Sequence, residues 1–282
     1  MGTSDRPWAD RVTDDLVGRL ATVPGITAVV LGGSRARGSA LPDSDLDLGL
    51  LYRDAAPIDL AALQTVIEEV NDTLDIVPTP IGGWGPWVNG GAWLRIDGHP
   101  VDLLYRSIDR YEATIENAER GFAEHDYLQQ PPYGFQSTIY LGEIDTCSPL
   151  HDPTDEVPTL KSRVRPYPAA LQANLIAGYH WGATFTMQNA VKPAGRGDVF
   201  ASVGCLSRAA AFLVQTLLAY AELYPVSDKG ALDRLALVNA TYADLCLRMS
   251  ACLLVGDAHQ LPDAVASMGD ICSEIGKVVG RS

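Results

Sequence analysis

A β-branched run from Ile26 to Leu31 stops at Gly32-Gly33-Ser34, and eleven residues after Ser34 the chain resumes as Asp45-Leu46-Asp47-Leu48-Gly49-Leu50-Leu51-Tyr52. Polar and apolar residues alternate strictly at the start of the second segment, which predicts a strand with one wet face. On such a strand Asp45 and Asp47 share a face, and Leu46 and Leu48 turn to the core. Two carboxylates held side by side repel unless a cation joins them. Oxygen ligands at this density suit Mg²⁺, which commonly takes one or two carboxylates and completes its shell with water and substrate phosphates.

The turn before that strand supplies what phosphates need. Glycines without Cβ let the backbone come close, so the N–H groups around Gly33 and the Ser34 hydroxyl can cradle the end of a triphosphate. Arg35 and Arg37 follow at once. Arg35 is the candidate phosphate ligand of the two, with an ordinary solvated arginine as the alternative, and Asp43 serves the turn Pro42-Asp43-Ser44.

A third acid lies further on. The segment Ala92-Trp93-Leu94-Arg95-Ile96, then Asp97-Gly98, then Val101-Asp102-Leu103-Leu104-Tyr105 reads as a β-hairpin. Asp102 alternates away from Val101 and Leu103, toward the first two carboxylates. It would complete a metal cage or act as general base for an attacking hydroxyl. Gly-Gly-Ser alone is a common turn, and Asp-x-Asp alone is usually a solvated face. Their conjunction with a third strand acid points to phosphoryl transfer.

The remaining pattern predicts an α+β protein: a small mixed β-sheet domain with helices over residues 1–120, a connecting segment over 121–167, and a helical bundle over 168–282. Helices are expected near residues 8–22, 57–72, 107–120, 168–190, 198–224, 229–255 and 262–279, with a short element at 135–144 and a loop at HDPTDEVP. Val199, Val203, Leu206, Ala210, Leu213, Leu217 and Tyr220 form one stripe, the seam of a bundle. The five cysteines show no Cys-x-x-Cys pair and read as reduced thiols of a cytoplasmic protein. The N-terminus has no signal-peptide core, and Arg6 breaks the myristoylation pattern. The longest apolar stretch, 209–221, is short for a bilayer span and carries Gln215, so no membrane partner is expected.

Gly33-Ser34, Ser44-Asp45-Leu46-Asp47 and Val101-Asp102-Leu103 resemble the signature of the DNA polymerase β-like nucleotidyltransferase superfamily. Within it the chain resembles small bacterial enzymes of the aminoglycoside type, such as the streptomycin/spectinomycin and kanamycin nucleotidyltransferases, which join such a domain to a C-terminal helical one. The motifs span about residues 26–106. The resemblance implies transfer of a nucleoside monophosphate from an NTP, ATP first among them, with Mg²⁺ between Asp45 and Asp47; two ions are expected, the second also seen by Asp102. It implies that the triphosphate rests on Gly33, Ser34 and Ser44 and that pyrophosphate leaves. The antibiotic enzymes use a glutamate base, for which Glu143 is the candidate here.

Charge adds a further expectation. The chain has a formal charge of −14, which argues against a broad nucleic-acid-binding surface and suits a cationic acceptor. Residues 157–197 nevertheless hold Lys161, Arg163, Arg165, Lys192 and Arg196 and no acid. This stretch is expected to face the nucleotide, with Lys192 and Arg196 the favoured phosphate ligands and Lys229 a further candidate; a solvated basic face is the alternative. The histidines read as turn or packing residues. Trp84, Trp87, Tyr133, Tyr140, Tyr179 and the His180-Trp181 pair could line an acceptor pocket or simply pack. Two other functions compete with a small-molecule transferase conferring antibiotic resistance. One is a toxin-type enzyme that modifies protein or tRNA; the other is an inactive nucleotide-binding protein.

Overall fold

A computed structural model describes residues 7–41 and 43–280; the readings placed on Arg6 and Pro42 lie outside these. The chain forms two compact units, one of residues 1–116 and 140–166, the other of 117–139 and 167–282.

The first unit is built on a five-stranded sheet in the order β3-β4-β2-β1-β7. Its strands are β1 (Ala28–Leu31), β2 (Leu46–Tyr52), β3 (Gly91–Ile96), β4 (His99–Ser107) and β7 (Ser148–His151). β2 and β4 run parallel, and the other neighbours run antiparallel. One face carries Val29, Leu46, Leu48, Leu50, Ala92, Leu94, Val101, Leu103 and Tyr105, which share a core with the apolar sides of α1 (Trp8–Leu20) and α3 (Leu60–Val70). Leu48, Leu50 and Leu103 are completely buried there, each contributing about 1.5–3 kcal/mol over exposure. Asp59 caps α3 by accepting from the N–H groups of Ala61 and Ala62. The hairpin turns on Asp97 and Gly98, both at positive φ (52° and 78°), as a two-residue turn of matching twist requires.

The unit continues beyond the expected boundary at residue 120. The main departures are β7 and α6 (Glu156–Val164), which occupy the segment expected to be a connection and a loop. Ser148-Pro149-Leu150-His151 has no strand-like alternation of its own, and it becomes a strand by pairing with the edge of β1. Asp152 then starts α6 by accepting from the N–H groups of Glu156 and Val157.

The second unit holds the two-stranded ribbon β5 (His125–Asp126) and β6 (Phe135–Gln136), with helices α7 (Ala169–Gly195), α8 (Val199–Tyr220), α9 (Ala231–Ala236), α10 (Ala240–Leu253) and α11 (Leu261–Val278). Most of α4 (Ile108–Glu119) and of α5 (Thr138–Thr146) belongs to the first unit, at the points in the sequence where its two segments end and resume. One helix was expected over 229–255; two form because Asn239 caps a fresh start by accepting from the Tyr242 N–H. Leu206, Ala210, Leu213 and Leu217 of the expected seam are buried in the bundle core. Val199, Val203 and Tyr220, at its ends, are partly exposed. By length and composition α8 could cross a membrane, contrary to the shorter span read from sequence, and 56% of its apolar window is buried inside the protein.

Candidate active site

The open face of the sheet gathers the acids. In the parallel pair β2 and β4, Asp47 lies directly opposite Asp102, and in the antiparallel pair β3 and β4, Asp102 lies opposite Trp93. Directly opposed residues share a face, so Asp47, Asp102 and Trp93 form one row across three strands. Asp45 lies two residues before Asp47, where the chain enters β2, and is exposed. Leu46, Leu48, Val101 and Leu103 alternate to the other side and anchor the row to the core.

The Gly-Gly-Ser turn lies against the same row. Gly33 opens the short helix α2 (Gly33–Ala36) at φ +61°, and a Cβ there would sit 1.7 Å from Asp47 Oδ2. Only glycine leaves room for that carboxylate against the turn. The turn is also tied to the strand: Gly32 N–H donates to Asp47 O at 2.8 Å. Ser44 closes the intervening loop, its Oγ accepting from Leu41 N–H at 2.8 Å and its own N–H donating to Leu41 O.

Arg35, expected at the phosphates, is turned to the backbone. Its Nε donates to Asp45 O at 3.1 Å and an Nη donates to Ser44 O at 2.6 Å. Carbonyls at a strand entrance lack ladder partners, and the guanidinium supplies them. Arg35 thereby positions the segment that carries Asp45.

Glu143, the candidate base, is instead one half of an ion pair. Arg106 Nε and Nη donate to its two carboxylate oxygens at 2.7 and 2.8 Å. Burial works against the charge of Arg106, but the facing carboxylate outweighs it and holds the guanidinium above the ordinary arginine value. The Tyr111 hydroxyl also reaches Glu143, and burial pushes that phenol well up. The pair joins β4 to α5 inside the fold. Truncation to Glu143→Ala is expected to cost about 3 kcal/mol by thermal melting, toward the low end for a buried pair, because Glu143 keeps 26% of its side-chain exposure. A Glu143→Gln variant that melts like the native protein yet makes no product would restore the base assignment.

The acid-free stretch divides between the two units. In the first, Lys161 Nζ donates to the Asp145 and Cys147 carbonyls at the end of α5, and Arg165 approaches Asp145 at 3.8 Å. Lys192 and Arg196, at the end of α7, and Lys229 are exposed on the second unit. The stretch is therefore not one basic surface: Lys161 serves the carbonyls at the end of α5, and Arg165 lies beside Asp145.

The aromatic candidates also separate. Trp87 and Tyr140 are buried, with the Tyr140 hydroxyl donating to Trp87 O at 2.7 Å. In the second unit Tyr179 donates to Gln136 Oε1, Tyr133 bonds Ser207, His180 bonds the Cys272 carbonyl, and exposed Trp181 stacks on Phe185. Trp84 differs: it stacks on Trp93, with centroids 4.4 Å apart and planes at 17°. Trp93 escaped the sequence reading, although the hairpin's two-residue turn already paired it with Asp102.

Among the described residues, no three His, Cys, Asp or Glu side chains converge as a metal-binding group. The carboxylates that the strands do bring to this face are the opposed pair Asp47 and Asp102, with Asp45 at the strand entrance. That number of carboxylates suits Mg²⁺ when phosphates and water supply the remaining ligands.

The open face of this mixed sheet thus aligns strand acids beside a glycine turn. Residues 15–122, less than half of the chain, match the family model described as Nucleotidyltransferase domain. Residues 15–116 of that match lie in the first unit, and the chain thus carries a nucleotidyltransferase domain. No curated protein matches it. Among solved structures it resembles a nucleotidyltransferase-like protein from Exiguobacterium sibiricum at 13% identity and a TM-score of 0.45, over 96% of this chain and 76% of that one.

Proposed function

We propose that the protein transfers a nucleoside monophosphate from an NTP, ATP first, to a hydroxyl of a small cationic acceptor of the aminoglycoside kind. The observation that carries this reading is the opposition of Asp47 and Asp102 beside a turn where the Asp47 carboxylate fills the place of a Gly33 Cβ. A triphosphate on that turn would thereby meet the acid side chains at one spot on one sheet face.

In the reaction, the acceptor oxygen bonds to the α-phosphorus as the bond from that phosphorus to the β-bridging oxygen breaks, and pyrophosphate departs. Gly33, Ser34 and the neighbouring N–H groups would hold the departing phosphates. Asp45, Asp47 and Asp102 would hold Mg²⁺, which when bound lowers the acceptor hydroxyl's pKa and neutralises phosphate charge. The Asp102 carboxylate would take the hydroxyl's proton. Most of the rate would come from positioning, since phosphoryl transfer asks little covalent chemistry of a protein.

The acidic balance supports a cationic acceptor, whose association should slow as salt rises. Free cysteines, four of them buried, accord with a cytoplasmic setting. Exposed Lys192, Arg196 and Lys229 are kept as candidate phosphate ligands, to be judged by nucleotide affinity in their alanine variants.

The test is incubation with α-labelled ATP, GTP, CTP and UTP and Mg²⁺, against aminoglycosides, lincosamides, bulk tRNA and lysate protein. Label is expected on an aminoglycoside, with one nucleotide strongly preferred. Label on tRNA or protein instead would assign a macromolecule-modifying enzyme, and no label anywhere would leave a nucleotide-binding protein.

A further inference from the structure

We infer that the stacked indoles of Trp84 and Trp93 form the platform for the acceptor, and that they select a saturated, hydroxyl-bearing ring with a protonated amine. The inference rests on the proposed nucleotide transfer and names the part of the site that chooses its substrate.

Position comes first. Across the open face the order is the Gly33 turn, Asp47, Asp102, then Trp93. In-line displacement places the leaving phosphates and the attacking hydroxyl at opposite ends. With the phosphates on the Gly33 side, the acceptor belongs on the Trp93 side, next to Asp102.

The aromatic surface is available and held in place. Trp93 is 61% exposed although it sits within a strand. Trp84 is brought over that strand because position 91 is glycine: a Cβ there would stand 3.0 Å from the Trp84 ring and 1.9 Å from the Leu103 carbonyl oxygen. The loop that carries Trp84 is strapped at both ends, Thr79 N–H donating to Gly91 O and Tyr105 N–H to Gly90 O. Asn89, within the same loop, donates from Nδ2 to the Tyr52 hydroxyl at 2.8 Å. A platform fixed before binding loses little entropy when a ligand lands.

Chemistry then narrows the occupant. The C–H face of a saturated ring packs on an indole, and an attached ammonium gains from the ring quadrupole. The carboxylates in the same row favour positive charge beside the platform and would disfavour an anionic acceptor. A neutral sugar would stack but gain nothing from the acids.

The experiment is calorimetric titration of the full chain with kanamycin, streptomycin and spectinomycin as cationic ring probes, trehalose as the neutral ring, and ATP with Mg²⁺. At least one cationic probe is expected to bind, and more tightly than trehalose. Trp93→Ala and Trp84→Ala should each weaken that probe roughly tenfold, Trp93→Phe should recover part of the loss, and ATP affinity should stay within about twofold. Melting temperatures identify any variant that fails to fold. The inference is overturned if Trp93→Ala weakens ATP instead, which would make the platform a nucleobase seat. Equal probe binding by native and variant proteins, or no binding of any cationic probe by the native protein, overturns it too. The underlying reading is judged separately: an Asp47→Asn protein that binds Mg²⁺ and ATP like the native one sinks nucleotide transfer at this site, whatever Trp93 does.

Discussion

Asp47→Asn is expected to abolish transfer of label from α-labelled ATP, a fall of about 10²–10³-fold or more, with the melting temperature unchanged or slightly raised. The substitution keeps the size and shape of the side chain, so its hydrogen-bonded surroundings on β2 are disturbed little. It removes a negative charge from a row where Asp47 faces Asp102, and like charges so placed repel when nothing bridges them. Stability and activity should therefore move apart, a signature that a merely structural aspartate does not give. Asp102→Asn should also lose transfer, but with ATP binding largely kept, because Asp102 lies one strand further than Asp47 from the Gly33 turn. Filter assays of labelled product beside thermal melting decide both. Normal turnover in Asp47→Asn would remove the metal assignment.

Gly33→Ala is expected to lose activity nearly as completely, by a steric route. Left-handed φ costs an alanine about 1 kcal/mol. The larger effect is local: the new Cβ would fall 1.7 Å from Asp47 Oδ2, so the carboxylate or the turn must move. A shift of about 1 Å in a positioned group can cost roughly 10²-fold in rate. Gly38→Ala supplies the control. Gly38 also has positive φ, +68°, but nothing stands within 4 Å of its Cβ position. It should carry the backbone cost and keep transfer. Equal activity in the two variants would mean that the contact between turn and carboxylate has no functional role.

Much of this site was legible because strand periodicity is a local property. Alternation in Asp45-Leu46-Asp47-Leu48 separated wet from buried positions before any fold was known, and the same rule oriented Asp102. The Asp97-Gly98 turn even contained the pairing of Trp93 with Asp102, since a two-residue hairpin loop leaves one register. Charged side chains were read less well. Arg35 was a candidate phosphate ligand and Lys161 part of a stretch expected to face the nucleotide, yet they donate to backbone carbonyls that become unpaired only when a strand begins or a helix ends. Glu143 was the candidate base, and its partner Arg106 is brought to it from 37 residues away. Likewise β7 is a strand because β1 offers it an open edge.

By itself, then, the order of residues determined which positions of β2 and β4 turn to water, where most of the long helices lie, and that two acids and a glycine turn lie close along the chain. Those outcomes depend on neighbours a few residues apart and on backbone geometry that repeats. Tertiary structure decided that Asp102 stands opposite Asp47 on a parallel strand, that Gly33 leaves room for the Asp47 carboxylate, and which cations and acids are spent on the fold. These depend on pairings between distant segments, where burial makes an unpaired charge or carbonyl costly and so draws partners together that no local pattern names.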